Sequence, residues 1–218
     1  MAPVPREGQQ DQSVAAQYDA WAQVYDVFWG HYMNQTLPVA QRAAAVEAGD
    51  HVLDLACGTG ELLQRIAEEV PEAGLTGVDL APKMVDRARH KLAERSEVQI
   101  QQADAHDLPF ADESFDVVVC ANTFHYFTHP EQVLREACRV LRPGGRLVLL
   151  DWCRDFWTCR MMDAVLRRVD PAYQTCYTLD EMTALVEATS LRPRYDFRYC
   201  FDLVWGMMVV EALRPQSD

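Results

Sequence analysis

Between His51 and Asp151 short apolar runs alternate with amphipathic segments, and this alternation narrows the fold more than any other property of the chain. The runs His51–Leu55, Leu75–Leu80, Val98–Gln102, Ser114–Ala121 and Arg146–Asp151 have the length of strands. The segments Glu61–Val70, Pro82–Arg95 and Pro130–Leu141 have helical spacing. Pro71 stops the first, Pro82 suits the first turn of the second, and Pro143-Gly144-Gly145 closes the third. Strands that are apolar throughout and separated by helices belong in a parallel sheet covered on both faces. Right-handed crossovers wind such a sheet in both directions from its middle. Its ligand then lies at the carboxyl ends of the strands, where the strand order switches.

The flanks read differently. Residues 1–12 are polar and look like a disordered tail. From Ser13, Val14, Tyr18, Trp21, Tyr25 and Phe28 recur on one helical face, and a second helix, about Leu37–Ala48, ends at Gly49 as C-cap. Residues 152–177 lack a strand signal and are rich in Trp, Tyr, Phe and Met, as a cap would be. Thr178 followed by Glu181 predicts a capping box. Residues 194–201 and 203–212 suit a closing antiparallel pair. The expected organisation is therefore a tail and one domain, 13–218. Within it lie N-terminal helices to residue 49, a cofactor-binding core over 50–151, a cap over 152–177, and the rest of the sheet over 178–212.

Composition removes several classes. A net charge of −13 argues against a general grip on nucleic acid, which needs a basic stripe to displace counterions. Seven cysteines without a Cys-x-x-Cys pair read as reduced thiols, not a disulfide frame or zinc site, and no metal is expected. Cys153, Cys159, Cys176 and Cys200 would form a thiol site only if the fold gathered them; buried apolar packing is the ordinary role. Residues 1–12 hold no apolar leader core and no run of eighteen apolar residues exists, so the expectation is a cytoplasmic protein with no membrane span.

Chemistry concentrates in three places. Val52-Leu53-Asp54-Leu55-Ala56-Cys57-Gly58-Thr59-Gly60 leaves the first strand and opens a helix. Small residues at 56, 58 and 60 let the backbone turn tightly against a ligand, and the helix start directs unpaired N–H groups toward it. Asp79 ends the second strand, where an acid suits two ribose hydroxyls. These features leave a dinucleotide and S-adenosylmethionine both open. Gln102-Ala103-Asp104-Ala105, followed by Leu108-Pro109-Phe110, favours the latter, because Asp104 and the Ala105 N–H can meet an adenine edge. A dinucleotide loop also wants glycine where Leu63 stands, and Glu61 sits badly beside a pyrophosphate.

With these stretches, and with Phe115–Phe127 and Leu134–Asp151, the chain resembles the class I S-adenosylmethionine-dependent methyltransferases of the small-molecule subgroup. The resemblance spans about residues 14–212. It implies an α/β fold: a doubly wound, mostly parallel seven-stranded Rossmann-like sheet, with N-terminal helices and a small cap after the fifth strand. It implies S-adenosyl-L-methionine as cofactor and S-adenosyl-L-homocysteine as product. By resemblance Asp54, Ala56, Gly58 and Gly60 hold the methionine part, and Asp79 takes the ribose. Leu80 and Met84 lie against the adenine, Asp104 and Ala105 read it, and Asn122 faces the reaction chamber. Ala56 departs from the glycine common in the family. Tyr18-Asp19 and Tyr25-Asp26 resemble the Tyr-Asp repeat ahead of the first strand in such enzymes, so the N-terminal helix would close over the cofactor, with Tyr18 or Tyr25 reaching it.

The candidates for catalysis are His125 and Tyr25. His125 follows the fourth strand, and histidine is a common general base, though a packing role among Phe124, Tyr126 and Phe127 weighs against it. Trp21, Trp152 and Trp157 divide evenly between pocket and core. Arg154, Arg160, Arg167 and Arg168 face nearby aspartates on paper, which suggests a solvated ion-paired surface, with an anion or lipid-headgroup rim as the sharper reading. The similarity is greatest to quinone C-methyltransferases and phospholipid N-methyltransferases. It implies a small lipophilic acceptor and leaves room for peripheral membrane contact. A polar natural product, a small amine and a non-catalytic cofactor-binding module are the alternatives.

Overall fold

The computed structural model describes residues 15, 16, 18, 19 and 25–216. The expected tail over 1–12, Val14 and Trp21 lie outside them. From Tyr25 the elements run α1 (Tyr25–Ala44), β1 (His51–Leu55), α2 (Glu61–Glu69), β2 (Gly74–Asp79), α3 (Pro82–Lys91), β3 (Val98–Gln102) and β4 (Phe115–Ala121). A 3-10 turn (Phe124–Tyr126) leads to α4 (Pro130–Val140), β5 (Leu141–Trp152), α5 (Trp157–Val169), α6 (Leu179–Glu187), β6 (Arg192–Phe201) and β7 (Trp205–Leu213).

The seven strands form one sheet in the order β3-β2-β1-β4-β5-β7-β6. The first five pair parallel, and β7 pairs antiparallel with both β5 and β6. The order reverses between β1 and β4, so the crevice at their carboxyl ends is the expected ligand position. Both faces of the central strands are buried, which is why they are apolar throughout. Val52, Val117, Val119, Val148 and Leu150 pack with α1 and α2 on one face. Leu53, Leu55, Val118, Leu147 and Leu149 pack with α4 and α6 on the other.

Three sequence expectations need correction. Instead of a second helix starting near Leu37, α1 is continuous over 20 residues and contains Pro38. Proline forfeits one backbone hydrogen bond, but Tyr32, Met33, Leu37 and Ala40 bury the same face on both sides of it and hold the helix through. It ends at Ala45, in the left-handed region (φ 45°), so Gly49 belongs to the following turn and is not its C-cap. Pro143-Gly144-Gly145 does not separate α4 from a strand starting at Arg146. Strand β5 begins at Leu141 and carries the three residues as an irregularity, where the register against β4 shifts between Phe115 and Val117. The cap contains a helix, α5. The capping box forms as expected: the Glu181 N–H donates to Thr178 Oγ1 at 3.1 Å, and the Thr178 N–H donates to Glu181 Oε2 at 2.8 Å.

Candidate functional site

A cavity of about 720 Å³ opens at the carboxyl ends of β1, β2 and β3. Its walls include Tyr18, Tyr25, Ala56, Gly58, Asp79, Leu80, Asp104 and Ala105, eight residues singled out from the sequence. A second cavity shares Tyr25, Ala56, Gly58 and Thr123 with it and extends along Asp54, Asn122, Tyr32 and Met33. Together they form a bent groove across the switch between β1 and β4.

The floor of the groove is the loop after β1. Ala56 (φ 56°), Gly58 (φ 56°) and Gly60 (φ 79°) all lie in the left-handed region. A side chain in that region, as at Ala56, is tolerated at a cost of about 1–2 kcal/mol. The Cys57 N–H donates to Val78 O at 2.9 Å and fastens the loop to β2. Gly60 does not line the groove. A Cβ there would lie 2.8 Å from Leu92 Cδ1 and 3.3 Å from Ala88 Cβ, so its role is to let α2 start against α3. Met84 is likewise behind the wall, buried with Ala81 against Ala15, Tyr18 and Tyr25.

Three carboxyl groups set the electrostatics. Asp54 is 3% exposed, and among the described residues none donates a hydrogen bond to its carboxyl. Burial, and then the neighbouring Asp79, push its pKa well above the usual carboxylate range. Asp79 accepts the Gly58 N–H at 2.8 Å on Oδ2 and the Ala81 N–H at 2.9 Å on Oδ1. Burial raises its pKa, and those N–H groups hold the rise back. Asp79 therefore shapes the loop and still has lone pairs facing the groove. Asp104 accepts the His106 N–H at 2.9 Å and lies 2.7 Å from His106 Nδ1, and that side-chain bond holds its pKa low.

The roof is aromatic. Tyr18 packs at 5.9 Å from Tyr25 and edge-on at 5.6 Å to Tyr126. Burial raises all three phenol pKa values, so these tyrosines stay neutral. A polar latch fixes the roof. Lys91 Nζ donates to Asp26 Oδ2 at 2.8 Å, Thr59 Oγ1 at 3.1 Å and Glu61 Oε2 at 3.2 Å, while the Thr59 hydroxyl donates to Asp26 Oδ1 at 2.6 Å. The Lys83 N–H donates to Asp19 Oδ1 at 2.8 Å. Both aspartates of the Tyr-Asp repeat thus tie the N-terminal segment to the rim of the groove. Sequence reasoning missed Thr59, Lys91, His106 and Tyr126. Tyr126 was legible as the neighbour of His125, but nothing local marks Lys91, 65 residues along the chain from Asp26.

At the far end Asn122, left-handed at φ 62°, accepts the Tyr32 hydroxyl at 2.8 Å and donates to Thr36 Oγ1 at 3.0 Å. Trp152 Nε1 donates to Tyr32 at 2.8 Å, so one chain of bonds runs from the groove to the cap. His125 lies beside it. Its Nδ1 is 2.7 Å from Asp151 Oδ1, its ring stacks on Trp152 at 4.2 Å, and the two titratable side chains are 3% and 1% exposed. Nε2 is buried and has no hydrogen-bond partner. His125 lines neither part of the groove, and its neighbours Thr123, Tyr126 and Phe127 stand between.

Comparison with known proteins fits this geometry. Residues 53–149, from β1 into β5, match the family model described as a methyltransferase domain. Over this stretch the chain is similar to methyltransferase domains. The chain is 38% identical over 160 residues to the demethylmenaquinone methyltransferase of Deinococcus radiodurans, covering 69% of this chain and 64% of that one. It is 36% identical over 154 residues to the 27-O-demethylrifamycin SV methyltransferase of Amycolatopsis mediterranei, covering 62% and 56%. The chain therefore spans somewhat over half the length of these relatives. Among solved structures the cyclase SpnF superposes with a TM-score of 0.80 at 16% identity, covering 99% of both chains. That likeness shows the fold alone.

The groove fits S-adenosylmethionine on its own terms. Asp54, buried, and Asp79, half-buried, interact across a site whose walls, among the described residues, carry no Lys or Arg and have His106 as their basic group. A cationic ligand relieves that arrangement and an anionic one aggravates it. The apolar walls Leu80, Ala103, Ala105 and Phe127 suit a flat ring with Asp104 at its edge. All seven cysteines are unpaired, and six are at least partly buried. Among the described residues no group of three or more His, Cys, Asp or Glu is arranged to hold a metal, and no helix is long and apolar enough to cross a membrane.

Proposed function

We propose that the protein transfers a methyl group from S-adenosylmethionine to a small lipophilic acceptor bearing a ring hydroxyl. The observation that carries this is the pair of buried Asp54 and half-buried Asp79 in a cation-seeking groove roofed by Tyr18 and Tyr25. When bound, the cofactor supplies a methyl carbon on a positively charged sulfur, which is already an activated leaving group. The protein's work is then mainly alignment. Asp54 and the loop over 56–58 hold the ammonium end. Asp79 accepts the ribose hydroxyls, and Asp104 with the Ala105 N–H reads the adenine. The tyrosine roof excludes water, and Asn122 bounds the reaction chamber.

An acceptor hydroxyl must lose its proton to become a good nucleophile, or to make its ring one. His125 is equipped for that step. The Asp151 bond at Nδ1 favours the tautomer whose Nε2 is an acceptor, and no other group occupies Nε2. Reaching the chamber requires Tyr126, which lines the groove beside the buried His125, to move aside. The aromatic cluster of Trp152, Tyr173 and Trp205 packed behind this end supports a lipophilic acceptor. So does the likeness to the demethylmenaquinone methyltransferases of Deinococcus radiodurans and Thermus thermophilus. Unpaired thiols fit a reducing compartment and support a cytoplasmic location.

The test is to incubate the protein with methyl-labelled cofactor and a cell extract, then split the products between organic and aqueous phases. Label in the organic phase is the expected result. Label confined to small aqueous products overturns the acceptor class, and the absence of any labelled product overturns methyl transfer.

A further inference from the structure

The cap helix α5 turns an apolar stripe outward. Trp157, Met161, Val165 and Val169 recur every fourth residue and are 69%, 60%, 55% and 67% exposed. Four successive turns of one helix thus present large apolar side chains to water, where single exposed apolar residues are ordinary and a contiguous row is not. The stripe does not end with the helix. Phe156 packs against Gly206, so closely that a Cβ there would lie 2.2 Å from its ring. This seats Trp157 beside the β6–β7 turn. At the tip of that turn Leu203 and Val204 are exposed, and Asp202 and Leu203 both adopt left-handed backbone (φ 50° and 58°). A tight hairpin tip favours Asn-Gly or glycine; here it holds out a leucine instead.

The charges on α5 have one sign outward. Its only acid, Asp163, is buried and held by Arg167 at 2.9 Å, Tyr173 at 2.9 Å and the Cys176 N–H at 2.9 Å. Arg160, Arg167 and Arg168 flank the stripe and are exposed. In a chain of net charge −13 this is a local basic rim around an apolar ridge. Apolar side chains led by a tryptophan, bordered by arginines, are what an interfacial helix presents to lipid.

We propose that α5 and the β6–β7 tip dock on an anionic lipid surface, with Trp157, Met161 and Leu203 entering the interface and Arg160 and Arg168 meeting the headgroups. The remaining acidic surface is repelled by the same lipids, which fixes the orientation. The proposal stands apart from methyl transfer, although it would bring a lipophilic acceptor's source to the cap.

The test is co-sedimentation of the whole chain with phosphatidylcholine vesicles, with and without phosphatidylglycerol. Binding is expected with the anionic vesicles and weakens as salt rises. The double variant W157S/M161S lowers it more than tenfold, and R160Q/R168Q lowers it about twenty-fivefold, roughly fivefold for each arginine. All of these residues lie outside the groove, so calorimetric binding of S-adenosylhomocysteine stays unchanged in both variants and shows that they fold. No vesicle binding overturns the proposal, as does equal binding to neutral vesicles or binding indifferent to W157S/M161S. A dimer that W157S/M161S converts to monomer, without vesicle binding, assigns the face to a second copy of the chain and also overturns it.

Discussion

The two ends of the groove are built by different means. At the end proposed for the cofactor, the groove walls come from strand ends and backbone turns: Ala56 and Gly58 in left-handed conformations, N–H groups fastened to Asp79, and carboxyls at the ends of β1 and β2 and just after β3. Toward the cap the groove is backed by side chains packed on one another: His125 on Trp152, Trp152 bonded to Tyr32, Tyr32 bonded to Asn122. Backbone turns demand particular residues at particular spacings. Packed side chains require only total volume and satisfied polar atoms. One end can therefore stay constant across a family while the other changes with the acceptor.

Removing chemistry from one end and leaving the other intact breaks this comparison most sharply. His125→Gln keeps a hydrogen bond toward Asp151 but cannot take a proton. It should lower kcat about 10²–10⁴-fold for a hydroxyl-bearing acceptor, with S-adenosylhomocysteine affinity unchanged. Steady-state kinetics beside calorimetry measure both. An equal loss in kcat and in cofactor affinity would mean that the histidine only supports the groove.

Asp79→Ala does the reverse. It removes two hydrogen bonds from a charged acceptor to the cofactor, worth about 3 kcal/mol, so affinity should fall about a hundredfold. Next comes the seating of the cap. Gly206→Ala drives a methyl into Phe156 and should destabilise the protein by about 1–3 kcal/mol in a denaturant titration. A variant as stable as the parent would show that the cap sits loosely on β7.

Asp54 sharpens the comparison by coupling stability to function. Its carboxyl is neutral at pH below its raised pKa. As pH rises from the unfolded value through the folded one, ionising a buried, unpartnered group costs stability, and the cost is fully present above that range. A bound cation favours the ionised form, so cofactor affinity should rise with pH over the same window. Asp54→Asn should raise the Tm of the ligand-free protein by about 2–4 °C, weaken S-adenosylhomocysteine binding and flatten its pH dependence. The smallest effect expected is at Ala56. Ala56→Gly relieves a left-handed Cβ but loosens the unfolded chain, for a net gain of about 0.5–1 kcal/mol.

The same difference in construction explains what could be read from the sequence. The sheet, its winding and the cofactor walls were legible because Asp54, Ala56, Gly58, Asp79 and Asp104 stand at strand ends that periodicity locates. Gly60 and Met84 were legible as part of the motif but serve packing, since spacing does not reveal which side of a loop a residue faces. Three boundaries were misread where tertiary burial overrode a local breaker: Pro38 inside α1, Gly49 past its end, and Pro143-Gly144-Gly145 inside β5. The latch from Lys91 to Asp26 and Glu61 joins residues far apart in the chain, so no local pattern announces it. The helix α5 escaped because its apolar residues face water, against the rule that periodic apolar residues mark a buried face.

Calorimetric titration of S-adenosylhomocysteine into the wild type, Asp79→Ala and His125→Gln tests most directly the claim that the two ends act separately. The account predicts a saturable complex in the wild type, about a hundredfold weaker binding in Asp79→Ala, and wild-type binding in His125→Gln. Undiminished affinity in Asp79→Ala, or a comparable loss in His125→Gln, would contradict it.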